Sequence, residues 1–529
     1  MSSSVPRRLA PLLPGAALFA LLAWQLNLLC DDAYISFRYG RNLVEGHGLV
    51  FNLHGEEPVE GYTNFLWVLW IALFQGLGFE PGLPAQLSSA ACGLALVLWV
   101  PVHARKRLEL DPFGTAAVGL FLGSLPAFAL WTTGGLATMP TALCLFGTYE
   151  RLLGDPERPR PGQAGLFAAL TSLLRADGLL WVGLVLAAGG VHWLRGGRGR
   201  TLGRGLLVTA AIACAVVAVH VGWRISYYGD YLPHTARVKV GLSAYRLQRG
   251  FDYLMTWWLV MPGTWLVMLA SLASLRRSDA SLLLPAWVVL VGAQLYAVWV
   301  GGDFMPFGRF LFSAVPFLAL LFAQAWGRWA RAGRAPLLLP GLPALALVLL
   351  GGLACYGVDL FPASLRSRFH FRMNNEWKSE LRAVRFMRNN TRQWKRLGQA
   401  LALFTEPGES IVLTGIGAIG YYSRLEVHDC YGLVSPEVAE AVEPVQEASP
   451  GHDLQVSIDF FLKQRPNLLG AFFAPVEAPR ETGLPPGWFD HPVSKAVRIE
   501  RHPLPPNQGF EEGQELRLMR FLPGRRPGG

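Results

Sequence analysis

The chain has 529 residues, 52% of them hydrophobic against 16% charged, with 18 Trp and a formal net charge of +10. So apolar a composition excludes an ordinary soluble protein and implies a multi-pass membrane protein. The positive charge falls in short clusters between apolar runs, as in cytoplasmic loops, and no basic domain or aromatic reader motif accompanies it, so no nucleic-acid partner is expected. Six cysteines are scattered and all but Cys430 lie in or beside apolar segments, so neither a disulfide framework nor a thiolate metal cluster is expected.

From the N-terminus, Arg7 and Arg8 precede an apolar run from Leu9 to Leu29. That run is long for a signal peptide and lacks an A-x-A cleavage site, so it reads as an uncleaved first helix entering from the cytoplasm. Further apolar runs lie at 83–104, 112–131, 135–151, 162–175, 178–195, 204–225, 257–275, 281–300, 309–327 and 335–357. The expected fold is therefore a mainly α, polytopic helical bundle of about eleven spans. The segment 64–78 is also apolar, but counting it would place Arg105, Lys106 and Arg107 outside and invert every later loop. Leaving it out puts all the strong Arg/Lys clusters on one side, as the positive-inside rule requires. Residues 64–78 then read as an interfacial helix on the outer face, with Tyr62, Trp67 and Trp70 at the headgroup boundary.

This topology leaves the N-terminus in the cytoplasm of a plasma (inner) membrane protein and gathers four polar segments outside, at 30–82, 175–178, 226–256 and 301–309. From about 359 the composition becomes charged and mixed, marking a change from a transmembrane module at 1–358 to an extracytoplasmic mixed α/β domain at 359–529. Within it, 410–414, 425–428, 467–474, 496–500 and 515–521 read as strands and 417–422 as a short helix. Gly415-Ile416-Gly417-Ala418-Ile419-Gly420 matches the G-x-G-x-x-G dinucleotide fingerprint in form. The next acidic residue, Asp429, follows Gly420 by nine positions where about twenty are required, so the motif reads as a tight turn with a glycine-rich helix start.

The first external segment opens on adjacent carboxylates, Asp31 and Asp32, directly after an apolar run. A solvated helix end would explain them. A carboxylate held partly desolvated at the membrane boundary would instead have raised basicity and take a proton from an attacking hydroxyl. The same segment carries Arg38, Glu60, Tyr62 and Asn64, interleaved with aromatic residues, so it is expected to fold against the membrane. Arg175 and Asp177 sit at an external turn and suit either a local ion pair or a site wall. His234, Arg237 and Lys239 lie in a polar loop whose cations suit either lipid headgroups or a bound phosphate. Asp303 and Arg309 flank a Gly/Pro turn.

The ordered runs Asp31-Asp32-Ala33-Tyr34-Ile35-Ser36-Phe37-Arg38-Tyr39, Gly46-His47-Gly48-Leu49-Val50-Phe51-Asn52 and Glu60-Gly61-Tyr62-Thr63-Asn64-Phe65-Leu66-Trp67 resemble the GT-C superfamily of polyprenyl-phosphate-dependent membrane glycosyltransferases. The nearest resemblance is to the terminal arabinofuranosyltransferases. It continues through Leu174-Arg175-Ala176-Asp177-Gly178, Tyr228-Gly229-Asp230-Tyr231-Leu232-Pro233-His234-Thr235, Gly301-Gly302-Asp303-Phe304-Met305-Pro306 and Gly420-Tyr421-Tyr422-Ser423, nearly the whole chain.

The resemblance implies a glycosyltransferase, hexosyl- or pentosyl-, that takes a sugar such as arabinofuranose from a polyprenyl-phosphate donor among the membrane lipids. The acceptor is an extracytoplasmic glycan or another hydroxyl compound, and the displacement inverts the anomeric centre. Asp31 or Asp32 inherits the role of base, with the choice open. Lys239 or Arg237 inherits the lipid phosphate, Arg38 is a further candidate for it, and Tyr62, Asn64, Arg175, Asp177, His234, Asp303 and Arg309 are candidate substrate contacts. No cofactor or metal ligand set is implied, and a divalent cation stays open. His234 stands where the family commonly has Asn, and Ala176 where it often has Pro, both at expected donor contacts. The alternative is a non-catalytic protein of the same fold that supports cell-envelope or motility assembly. A transporter is disfavoured by the lack of paired broken helices and of charges deep in the spans.

Overall fold

The computed structural model describes residues 9–54, 57–196, 199–239, 243–275, 280–331, 361–369, 379–443, 449–479, 482–484, 488 and 491–522. Helices dominate, and a small sheet closes the C-terminal part. Among the described residues, Gly82–Leu108, Gly178–Arg195, Arg200–Tyr228 and Arg309–Arg331 are long and apolar enough to cross a membrane. The expected span at 335–357 lies outside the described residues, as does the boundary near 359. Several expected spans form shorter helices, among them Thr138–Leu153 and Pro161–Leu174.

Two runs read as single spans are broken. Pro112–Gly123 is followed by Pro126–Thr133 at a 58° bend, and Ala244–Val260 by Pro262–Ala273 at 86°. Pro126 and Pro262 each open the second helix of their pair, where a missing N–H costs nothing but the preceding residue cannot continue the helix. The chain thus contains the broken helices that its sequence did not announce, and much of the expected loop at 226–256 is the helix Ala244–Val260.

Phe65–Gly76 is the helix expected at 64–78, and its 12 residues reach about 18 Å, well short of a bilayer core. Trp70 is exposed, as an interfacial ring would be, whereas Trp67 is buried and donates its indole N–H to the Gly135 carbonyl. Trp67 therefore joins the core of the bundle and does not mark the headgroup boundary.

The C-terminal strands are β1 (Ser410–Leu413), β2 (Glu426–Asp429), β3 (Leu468–Pro475), β4 (Val497–Pro503) and β5 (Gln514–Phe521), in the order 2-1-3-5-4. β1 runs parallel to β2 and β3, and β5 runs antiparallel to β3 and β4. On one face Val412, Leu469 and Met519 pack with Phe461 and Trp488. On the other, Ile411, Leu413, Leu468 and Leu516 pack directly on Ile35, Tyr39, Leu49, Phe51 and Tyr62 of the first external segment. The sheet and that segment therefore share a core.

Arg38 fastens them. It is 1% exposed, stacks 4.2 Å from the Phe51 ring, and donates to the carbonyls of Phe51 (2.7 Å), Gly420 (2.9 Å) and Leu425 (2.7 Å). A buried guanidinium is stable only with such partners, and removing it strands three carbonyls in a dry interface. Arg38→Ala is therefore expected to cost about 3 kcal/mol or more and to lower the thermal unfolding midpoint in detergent. Arg38→Lys, with no planar fork, should restore only part of that loss.

Candidate active site

Asp31 and Asp32 are the first two residues of the helix Asp31–Val44, whose N-cap, Cys30, supplies no side-chain cap. Successive helical side chains diverge by about 100°, so adjacent carboxylates face different surroundings. Asp31 turns to the C-terminal domain, where Oδ1 accepts the Ala418 N–H at 2.7 Å and Oδ2 the Gly417 N–H at 3.1 Å. A Cβ on Gly417 would meet the Asp31 carbonyl oxygen at 2.1 Å, so only glycine permits the approach. The glycine-rich turn is thus a seat for the first external helix. Asp429 closes β2 and accepts the N–H groups of Tyr431, Leu433 and Val434, folding the loop that carries Leu433 into the cleft described next.

Asp32 faces a cleft of about 270 Å³ lined by the first external segment, the 174–177 turn, Thr235 and Ala236, the 300–310 turn, and Leu433 and Asp453 of the C-terminal domain. Its side chain is 38% exposed, with Oδ2 3.9 Å from Nη1 of Arg309. Arg309 forms a fork with Asp303, through Nε at 2.6 Å and Nη2 at 3.1 Å. Arg175 forms a second with Asp177, both contacts at 2.7 Å. The two guanidiniums flank one ring, Phe310, at 5.4 and 5.7 Å. Burial works against the charge of Asp177, but the Arg175 guanidinium outweighs it and holds the carboxyl below the usual range. Each fork fixes a cation without filling all its donors.

The cleft also brings in Tyr62, whose hydroxyl lies 3.2 Å from that of Tyr228, and Asn64, whose amide donates to Ser36 Oγ at 3.1 Å. Other expected residues go elsewhere. Asp31 and Arg38 serve the domain contact, so the phosphate role expected for Arg38 is not supported by its position: its donors already meet carbonyls. His234 sits 2.9 Å from the Gly432 carbonyl and lines a neighbouring cleft of about 1040 Å³. The side chains of Arg237 and Lys239 lie outside the described residues.

Sequence reasoning missed Thr235 as a site residue. It is 5% exposed, lines the smaller cleft, and its hydroxyl has no hydrogen-bond partner among the described residues. It also missed Asp453, which accepts from Arg249 at 2.9 Å. Thr235 closes the run that carries His234, where the charged and aromatic neighbours drew the attention, and Asp453 sits in a segment with no distinctive spacing. Among the described residues no group of three His, Cys, Asp or Glu side chains is placed to hold a metal ion.

The helix ends orient the cleft. Thr138–Leu153, Pro161–Leu174 and Arg309–Arg331 each present one end to it, while Arg151, Arg160, Arg328 and Arg331 lie at or beside their other ends.

With this geometry in hand, comparison with known proteins is decisive for the fold. ArnT of Cupriavidus metallidurans bound to undecaprenyl phosphate superposes with a TM-score of 0.55 at 13% identity, over 97% of this chain and 98% of that one. Mycobacterial arabinofuranosyltransferase AftD gives 0.51 at 14%, over 97% and 40%. The chain has the GT-C fold. In sequence it is 28% identical over 375 residues to the terminal β-(1→2)-arabinofuranosyltransferase of Mycobacterium tuberculosis (61% of this chain, 55% of that protein). It is 28% identical over 354 residues to the protein of that name from Corynebacterium glutamicum (58% and 49%). The chain thus spans about half the length of these curated relatives. Residues 380–491 match a domain family of unknown function, DUF8728. The chain is a helical membrane protein similar in sequence to arabinofuranosyltransferases.

Burial pushes the Asp31 carboxyl from its ordinary 3.8 up to about 7, against the pull of the Ala418 N–H, while Asp32 pushes it further and the Gly417 N–H opposes. A carboxyl that binds its proton more tightly folded than unfolded makes the folded state less stable as pH rises from about 4 to about 7. Asp31→Asn removes that titration, so the unfolding midpoint of wild type should fall relative to the variant between pH 5 and pH 8, measured by thermal shift. A constant difference would show that Asp31 does not titrate there.

Proposed function

We propose that this chain is a glycosyltransferase that moves a sugar from a polyprenyl-phosphate carrier to a hydroxyl of a glycan or other acceptor on the extracytoplasmic side of the plasma membrane. The observation that carries this reading is the 270 Å³ cleft in which Asp32, two fixed arginines and an unpartnered hydroxyl converge. Similarity to arabinofuranosyltransferases and to the undecaprenyl-phosphate-bound ArnT supports the donor class, with arabinofuranose the candidate sugar.

The chemistry follows from what each group can do. Asp32 is the general base: it is solvent-accessible within the cleft, and among the described residues no backbone donor takes up its oxygens as Gly417 and Ala418 do those of Asp31. The acceptor oxygen attacks the anomeric carbon, its proton passes to Asp32, and the bond from that carbon to the phosphate oxygen breaks with inversion. The leaving phosphate gains a negative charge, which Arg309 and Arg175 stabilise from positions already fixed by Asp303, Asp177 and Phe310. Thr235 offers its hydroxyl to the sugar or phosphate. No step requires a metal or cofactor.

The larger cleft meets the first around His234 and the 433–434 loop. Glu57, Glu60, Asp230, Glu426, Glu437 and Glu440 line it, so it presents many hydrogen-bond acceptors to a hydroxyl-rich acceptor glycan. Positive clusters at the opposite ends of the helices support a reading in which both clefts lie outside the cytoplasm.

Asp32→Asn should reduce transfer from a synthetic polyprenyl-phosphate sugar by about 10²–10⁴-fold with the unfolding midpoint unchanged. Asp31→Asn should shift the midpoint and leave most of the turnover. Full activity in Asp32→Asn, or the reverse pattern, would overturn the assignment. In the cell, deletion of the chain should remove a terminal sugar from surface glycans, and an unchanged glycan composition would favour an assembly role.

Arg309→Lys keeps the charge but loses the fork with Asp303. Turnover should drop by about 10²-fold with a smaller change in KM, because the lost contact is strongest once phosphate charge has developed.

A further inference from the structure

The helix Glu380–Phe404 carries Arg382, Arg385, Arg388, Arg392, Lys395 and Arg396, and its one acidic residue, Glu380, is buried. At 100° per residue these six cations fall within an arc of about 140°, a continuous stripe along one face. Arg396 pairs with Glu511 at 3.1 Å, and Lys395 lies over the Tyr422 ring at 4.9 Å. Among the described residues no carboxylate pairs with Arg382, Arg385, Arg388 or Arg392, and Arg388 Nε is buried without a partner. Burial, and then the neighbouring charges of Arg392 and Arg385, weaken the hold of Arg388 on its proton. So dense a row of like charges is destabilising unless counter-charge is supplied.

The position of the helix identifies the source. At its start, Glu380 accepts the backbone N–H of Phe307, two residues before the span Arg309–Arg331. Further along, Lys395 caps Tyr422, whose hydroxyl donates to Glu80, two residues before the span Gly82–Leu108. Points fifteen residues apart, about 22 Å along the axis, are thus each tied to the outer end of a span. The helix lies across the end of the bundle, and Leu381, inside the cationic arc, packs on the hydrophobic core of the bundle at the level of those span ends. The arc therefore faces the plane in which lipid phosphates sit.

We propose that Arg382, Arg385, Arg388 and Arg392 form a binding site for the phosphate headgroups of anionic phospholipids, which holds the C-terminal domain down on the bilayer around the cleft. The site is distinct from Arg309 and Arg175 and does not depend on which sugar is moved. Exposed Phe386, beside Arg385, adds an apolar group at the same level.

The test uses the full chain in nanodiscs of phosphatidylcholine, with and without one-third phosphatidylglycerol, and follows hydrogen–deuterium exchange of peptides from Glu380–Phe404. Phosphatidylglycerol should slow exchange there by at least about fivefold, the factor one cation near an anionic surface supplies, and added salt should reverse it. R382Q/R385Q/R388Q/R392Q should abolish the slowing, whereas the fourfold Arg→Lys variant, which keeps the charge, should retain most of it. Equal exchange in both lipids, or slowing that survives in the Gln variant, would overturn the proposal.

Discussion

The structure depends on the contact between the first turn of the helix Asp31–Val44 and the first turn of Gly417–Ser423. One carboxylate accepts two backbone N–H groups of a helix start, an arrangement the helix dipole favours. A glycine at 417 lets the two backbones meet, and Arg38, two turns on, repeats the connection through the carbonyls of Gly420 and Leu425. These contacts join segments almost 390 residues apart in sequence, Asp31 and Ala418 being separated by 387. They fix the height and angle at which the next residue, Asp32, enters the cleft.

Two adjacent aspartates are thereby given different work by helical geometry alone. Asp31 is consumed by architecture, and Asp32 is left with one distant cation and access to solvent. The surrounding charges follow the same logic. Arg175 and Arg309 are each held by a carboxylate and by the shared ring of Phe310 before any ligand arrives, so their positions need no reorganisation when negative charge develops nearby. The C-terminal domain is then part of the site, since Leu433 and Asp453 line the cleft and Asp453 holds Arg249 of the bundle.

Much of this was legible in the sequence. The five strands and the short helix of the C-terminal domain stand within three residues of the runs that announced them, because alternating apolar residues bounded by turns carry a local signal. Seven expected site residues meet in one cleft, because polar loops at one end of a bundle have few other places to go. The failures share a cause, which is that tertiary partners are not encoded locally. Arg38 looks like any loop arginine until its three carbonyls are known. Trp67 and Trp70 are indistinguishable in sequence, and only packing buries one and leaves the other at the surface. The breaks at Pro126 and Pro262 were within reach, since each proline interrupts an apolar run, but run length and charge outweighed them.

In the proposed reaction the donor phosphate lies between Arg175 and Arg309, with Asp32 on the acceptor side. A structure of the full chain with a non-transferable polyprenyl-phosphate sugar tests it most directly. Phosphate density in the smaller cleft, in contact with both guanidiniums and with the anomeric carbon facing Asp32, is the expected result. Phosphate held beside Glu57 and His428 in the larger cleft, or only beneath the arginines of Glu380–Phe404, would contradict it.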